Sequence, residues 1–207
     1  MYVRSTLLVP ELLCTYASGT LALNNALDLE GEDFEFFAKF TAMKKLSRDD
    51  RRAQYIATNT DVTRNELAKH LAGKHQWVLA TTRADGRPQM SLVSGGQMPD
   101  GRLAIATYPQ RVKAKNIRKN PHVSVAVMGA EFNDAWVQID GDAEVVDLPE
   151  ATEVLVEYFR SISGEHDDWD DYREAMTDQG KCAIVITPTR WSPVSTGGFP
   201  PELFEDE

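Results

Sequence analysis

The chain has 207 residues, enough for one domain with a sizeable core and an appendage. Its hydrophobic share of 42% and charged share of 26% are those of an ordinary globular chain, while 32 acidic against 22 basic residues leave a net charge of -10. That balance excludes a general nucleic-acid binder and a surface that adheres to anionic membrane, since both want an overall basic face.

The first sixteen residues pass Arg4 and then an apolar run, as a signal peptide would. Pro10 and Glu11 interrupt that run, however, and no small-residue cleavage site closes it. No stretch reaches the length of a membrane-spanning helix. Cys14 and Cys182 are too few for a disulfide framework or a multi-cysteine zinc site, which suits a reducing compartment, so the expected location is the cytoplasm. Residues 1–60 read as an N-terminal, partly helical extension. Phe36, Phe37, Phe40 and Met43 share one face of a helix over residues 33–45. The segment is either a docking arm or a loosely packed extension, or upstream sequence ahead of a start at Met43. It carries no chemistry.

Residues 61–207 form the expected main domain. Asp61 or Thr63 caps a helix that runs through Leu71 and stops at Gly73. Gln76–Thr82 and Pro88–Ser94 are strands joined by the Asp85-Gly86 turn, with Met90 and Leu92 alternating against Gln89, Ser91 and Val93. After the turn at 99–102 comes a strand over 103–108. A second valine-rich strand covers 122–128, and a long one covers 135–146 with a bend or bulge at Gly141. Helices are expected over 150–162 and 169–176, a strand over 182–187, and the start of another between Arg190 and Val194. Antiparallel strands joined by Asp-Gly turns, with few helices, predict a mainly β protein: a small β-barrel with helical decoration.

The most informative stretch is 101–130, which holds no Asp or Glu in an otherwise acidic chain. Arg111, Lys113, Lys115, Arg118 and Lys119 crowd a short connector, helical in pattern, that ends at Asn120-Pro121. A helix start exposes unpaired N–H groups and attracts anions. Arg111 and Lys113 at that start make either a phosphate site or a solvated basic face.

Familiar catalytic patterns are absent: there is no dinucleotide fingerprint, no phosphate loop and no HExxH. Gly95-Gly96 reads as a bend. His70, His75, His122 and His166 lie apart without ligand spacing. The acidic run from Gly164 to Asp171 lacks the alternation of a calcium loop, and Asp167 or Asp168 serves it better as a helix cap. No metal site and no catalytic side chain is assigned.

In order along the chain, Thr82-Arg-Ala-Asp-Gly-Arg-Pro-Gln89, Ala106-Thr107 and Arg111-Val-Lys113-Ala-Lys115-Asn-Ile-Arg-Lys-Asn-Pro121, followed by a valine-rich strand, resemble the pyridoxamine-phosphate-oxidase-like family of split β-barrel flavoproteins. The segment Gly164–Met176 resembles the branch that uses the deazaflavin coenzyme F420. The resemblance covers about residues 62–190. It implies a split β-barrel of the FMN-binding kind and a homodimer with the cofactor at its interface. It also implies a phosphate held by Arg111 and Lys113, with Thr107 adding a hydroxyl and Val112 and Ala114 adding backbone N–H groups. Gln89 and Ser91 would lie beside the ring system, and Lys115 would meet the anionic tail of a deazaflavin. Arg118 and Lys119 are as well explained by solvation.

The activity implied is hydride transfer between reduced coenzyme F420 and a small or planar conjugated acceptor. The alternatives are an FMN-dependent enzyme of the pyridoxamine phosphate oxidase type, or a non-enzymatic split barrel that binds a flavin, haem or tetrapyrrole. The tail from Gly197 to Glu207 offers no cation for a substrate phosphate, which counts against the oxidase.

Overall fold

The computed structural model describes residues 45–131 and 133–205. The expected helix over residues 33–45, with its face of Phe36, Phe37, Phe40 and Met43, lies outside the described residues except for its last position. From Leu46 onward the chain forms one compact unit. Its strands are β1 (Thr58–Thr60), β2 (Gln76–Thr82), β3 (Pro88–Ser94), β4 (Gly96–Gln97), β5 (Leu103–Thr107), β6 (His122–Val127), β7 (Val137–Val146), β8 (Cys182–Trp191) and β9 (Val194–Thr196). Its α-helices are α1 (Arg64–Leu71), α2 (Val112–Ile117), α3 (Ala151–Ser163) and α4 (Trp169–Asp178). No helix among the described residues is long and apolar enough to cross a membrane.

Seven strands make an antiparallel sheet in the order β3-β2-β6-β7-β8-β5-β4. The sheet curls until β3 comes near β5, and it is left open there. This is the expected split β-barrel, mostly β with helices around it. Alternation along the strands decides what fills it. Trp77 and Leu79 of β2, Val123, Val125 and Val127 of β6, and Val137 and Ile139 of β7 all point inward and are buried. Helix α1 closes one end with Leu67 and Leu71. Its N-cap is Thr63, not Asp61: the Thr63 hydroxyl accepts the Glu66 N–H at 3.4 Å and the Glu66 carboxylate accepts the Thr63 N–H at 2.7 Å. A reciprocal cap of this kind is worth about 1 kcal/mol.

Strands β5 and the first half of β8 do not alternate, because both of their faces are covered. Leu103, Ile105, Ile184 and Ile186 enter the barrel, while Ala104, Ala183 and Val185 lie under α3 and α4. The small alanines let the helices approach closely.

Gly95 and Gly96 prove to be packing glycines at the β3–β4 junction rather than a loose bend. A Cβ at Gly95 would strike the Trp77 indole, and one at Gly96 would strike Ser161 of α3.

Strand β8 runs on to Trp191, past the Thr187 limit the sequence suggested. Pro188 has no N–H to donate, and it pairs opposite Gly141, where a register shift between Asp140 and Gly141 breaks the ladder. Arg190 and Trp191 therefore finish β8, and the next strand starts only at Val194. That strand, β9, pairs with β1, while Leu46 and Ile56 bridge to Phe204 and Phe199. Residues 46–60, which the sequence reading joined to the extension, thus pair with the end of the barrel chain.

Candidate functional site

Strand β5 delivers the chain to Thr107, which is buried and paired with Cys182. Four residues later the backbone at Arg111 is extended and serves as the N-cap of α2, without a side-chain cap bond. The Arg111 carbonyl accepts the Lys115 N–H at 3.1 Å. The N–H groups of Val112, Lys113 and Ala114 precede the first intrahelical acceptor, as in any helix, and no acceptor meets them among the described residues. Ala114 and Ile117, three apart, are buried and press α2 onto the barrel. That burial sets the outward face: Arg111, Val112 and Lys115 are exposed and Lys113 is half-buried.

The connector is also tied to the edge strand. Asn116 Nδ2 donates to Thr81 Oγ1 at 3.0 Å, Thr81 Oγ1 donates to Gln89 Oε1 at 3.1 Å, and Gln89 Nε2 donates to Ser91 Oγ at 2.9 Å. Gln89 and Ser91 are therefore half-buried polar groups on the inward side of β3, locked to α2 through Thr81.

Charge divides the connector in two. At its far end the Arg118 guanidinium grips Asp147 at 2.6 and 2.8 Å and donates to the Pro109 carbonyl at 3.2 Å, so it staples the end of α2 to its start. At its near end Arg111 and Lys113 have no carboxylate partner among the described residues. Burial holds the Lys113 ammonium below the ordinary lysine pKa, and the like charge of Arg111 lowers it further. Lys115 and Lys119 are exposed.

Two hollows adjoin this near end. An open one of about 590 Å³ is bordered by Tyr108, Gln110, Arg111 and Val112. The other, about 500 Å³, is the split of the barrel itself, where Leu92 and Ser94 of β3 face Ala106 of β5 and Lys113 beneath α3 and α4. Phe159 and Tyr172 line it, with ring centroids 4.9 Å apart, and Trp169 and His166 stack behind them. Tyr158 donates to the Ser94 carbonyl at 3.2 Å and ties α3 to the edge strand. Tyr172 donates to the Leu155 carbonyl at 3.1 Å, and burial pushes its hydroxyl up to about 12.

The structure thus gathers Lys113, Arg111, Thr107 and the N–H groups of Val112 and Ala114 around the start of α2. Gln89 and Ser91 are tied through Thr81 to Asn116 near the end of α2, not to its start, and do not line the cleft. Sequence reading missed the cleft wall. Tyr158 and Phe159 lie in the helix expected over 150–162 and Tyr172 in that over 169–176, and neither these nor Lys181 carries a sequence signal for a cavity.

A phosphate fits this donor set. Two cations lack counter-ions, three N–H groups lack acceptors, and neither hollow is lined by a carboxylate among the described residues. The acidic segment behaves otherwise: Asp168 caps α4, accepting the Asp170 and Asp171 N–H groups at 2.9 and 3.1 Å.

The profile of the family described as pyridoxamine 5'-phosphate oxidase matches residues 63–195. The chain belongs to this family. Members of the pyridoxamine 5'-phosphate oxidase family bind flavin-type cofactors, and the matched span contains the whole connector and both lips of the cleft. Among solved structures, a conserved hypothetical protein of Mycobacterium tuberculosis is 23% identical, with 66% of this chain and 87% of that one covered and a TM-score of 0.56. A protein of unknown function from Agrobacterium tumefaciens is 14% identical, covering 72% and 66%, with a TM-score of 0.50. A protein named F420 reductase is 23% identical, covering 60% and 94%, with a TM-score of 0.46. The first two likenesses support the fold alone.

Proposed function

We propose that the protein is an oxidoreductase dependent on the deazaflavin coenzyme F420, passing a hydride between the reduced cofactor and a small or planar conjugated acceptor. The observation that carries this reading is the pair Arg111 and Lys113: two adjacent cations at a helix start, left without counter-ions while their neighbour Arg118 is fully engaged. An ammonium whose pKa is lowered by burial and a like charge gains from the arrival of an anion. The exposed Lys115 on the same helix suits an additional acidic tail, and the stretch 164–176 resembles the deazaflavin branch.

Bound in this place, the cofactor would supply the hydride chemistry. The chain would supply position and dryness. Arg111, Lys113 and the N–H groups of Val112 and Ala114 would hold the phosphate, with Thr107 beside it. Gln89 and Ser91, fixed by Thr81, would orient the ring edge. The apolar walls of the cleft would exclude water from the acceptor. Exposed Met90, Leu92 and Val112 suit a homodimer that covers this side of the barrel.

FMN is the second reading, favoured by the family match. A parallel fluorescence titration with coenzyme F420 and with FMN separates the two, and light scattering on the same samples reads the dimer mass. Tighter binding of coenzyme F420 is expected. A preference for FMN moves the protein to the flavin reading, and binding of neither sinks the phosphate site.

A further inference from the structure

Lys181 borders the cleft, and none of the phosphate contacts uses it. Helix α4 ends in a paired closure: the Gly180 N–H donates to the Thr177 carbonyl at 2.9 Å and the Lys181 N–H to the Met176 carbonyl at 3.2 Å, with Gly180 at φ +60°. This is the Schellman arrangement, and its left-handed position suits glycine. The closure fixes the backbone of Lys181 directly before β8, so the side chain starts from a rigid point.

That side chain is half-buried, lines the cleft with Phe159, Tyr172 and Met176, and holds its ammonium 5.9 Å from the Tyr108 ring centroid. No carboxylate pairs with it among the described residues, and none lines the cleft. The partial negative charge of the α4 C-terminus explains a lysine at this point of the chain. It does not explain a side chain that shares a cleft wall with Tyr158, Phe159 and Tyr172 while its ammonium lies over Tyr108.

We propose that Lys181 sets specificity at the acceptor site, and that the acceptor is a flat conjugated molecule bearing a carboxylate. Its ring lies against Phe159 and Tyr172 and its carboxylate meets the Lys181 ammonium. The inference rests on the reading of Arg111 and Lys113 as the phosphate pair, which engages Lys113 and leaves Lys181 as the cleft's second cation. A neutral molecule of the same shape would cover the ammonium without pairing it, so discrimination comes from rejection as well as attraction.

The test uses the full chain and two fluorescent probes of one shape, 2-naphthoate and 2-naphthamide, with coenzyme F420 and FMN titrated in parallel. The carboxylate is expected to bind at least about tenfold more tightly than the amide. Lys181→Gln should erase that preference while amide and cofactor affinities stay within about twofold, and Lys181→Arg should restore it. Equal binding of the two probes by the parent chain overturns the proposal, as does a preference that survives Lys181→Gln. An equal loss of cofactor affinity in Lys181→Gln also overturns it and gives the lysine to the cofactor. If neither cofactor binds the parent chain, the phosphate reading fails instead, and the probe pair still judges Lys181.

Discussion

The two ends of the basic connector carry the same charge and do opposite things. At the far end Arg118 is consumed by the fold, with Asp147 and the Pro109 carbonyl taking three of its hydrogen bonds. At the near end Arg111 and Lys113 stand together without an acid, on a helix held down by Ala114 and Ile117. Charge density along a sequence therefore does not locate a binding site. What locates it is which cations the fold has already neutralised, and here that distinction falls within a single short helix.

The contrast breaks most readily at its near end. Arg111→Ala and Lys113→Ala should each weaken cofactor binding by about 1.5–3 kcal/mol, the scale of a hydrogen bond to a charged group, and leave the melting temperature within a degree or two. Isothermal titration with parallel thermal melts checks this. Unchanged affinity in both variants would make the near end a solvated face like any other.

A smaller effect should follow from pH. The free Lys113 pKa lies below the ordinary lysine value, and a bound phosphate would raise it. Affinity should therefore be full below the depressed value and fall as pH rises through it, levelling off above the value reached in the complex. Lys113→Arg, which keeps its charge throughout, should flatten that fall. A titration series from about pH 7 upward, run side by side on the parent chain and Lys113→Arg, isolates the lysine's share.

The smallest change is expected at the far end. The Arg118–Asp147 side chains are 37% and 54% exposed, so Arg118→Ala should lower stability by under about 1 kcal/mol. Cofactor affinity should not move. Denaturant unfolding beside the same titration checks both halves, and a large affinity loss would erase the distinction between the ends.

Much of the barrel was legible in the chain because its signals are local. Trp77, Leu79, Val137 and Ile139 alternate, Thr63 and Glu66 announce a cap, and Asp168 stands before two acids at a helix start. The connector was legible through its charge. Pairings that depend on distant segments were not. Nothing in Thr58-Asn-Thr60 names Val194-Ser-Thr196 as its partner, and the strand expected over 182–187 stops short because Pro188 is accommodated only by the bulge opposite it. The cleft wall was hidden for the same reason. Phe159 and Tyr172 fit their own helices as apolar residues, and only the closing of α3 and α4 over β3 and β5 shows that they also face a cavity.

The pairing of β1 with β9, with the bridges from Leu46 and Ile56 to Phe204 and Phe199, orders events during synthesis. Residues 46–60 leave the ribosome well before the strand and bridges that anchor them are made. For most of translation this early segment must wait without its partners, while β2 to β8 can assemble behind it. A chain stopped just before residue 194 would keep its connector and cleft lips and lose the anchorage of residues 46–60. Protease cutting within residues 46–60 would therefore report, on a growing chain, the moment residues 194–204 arrive.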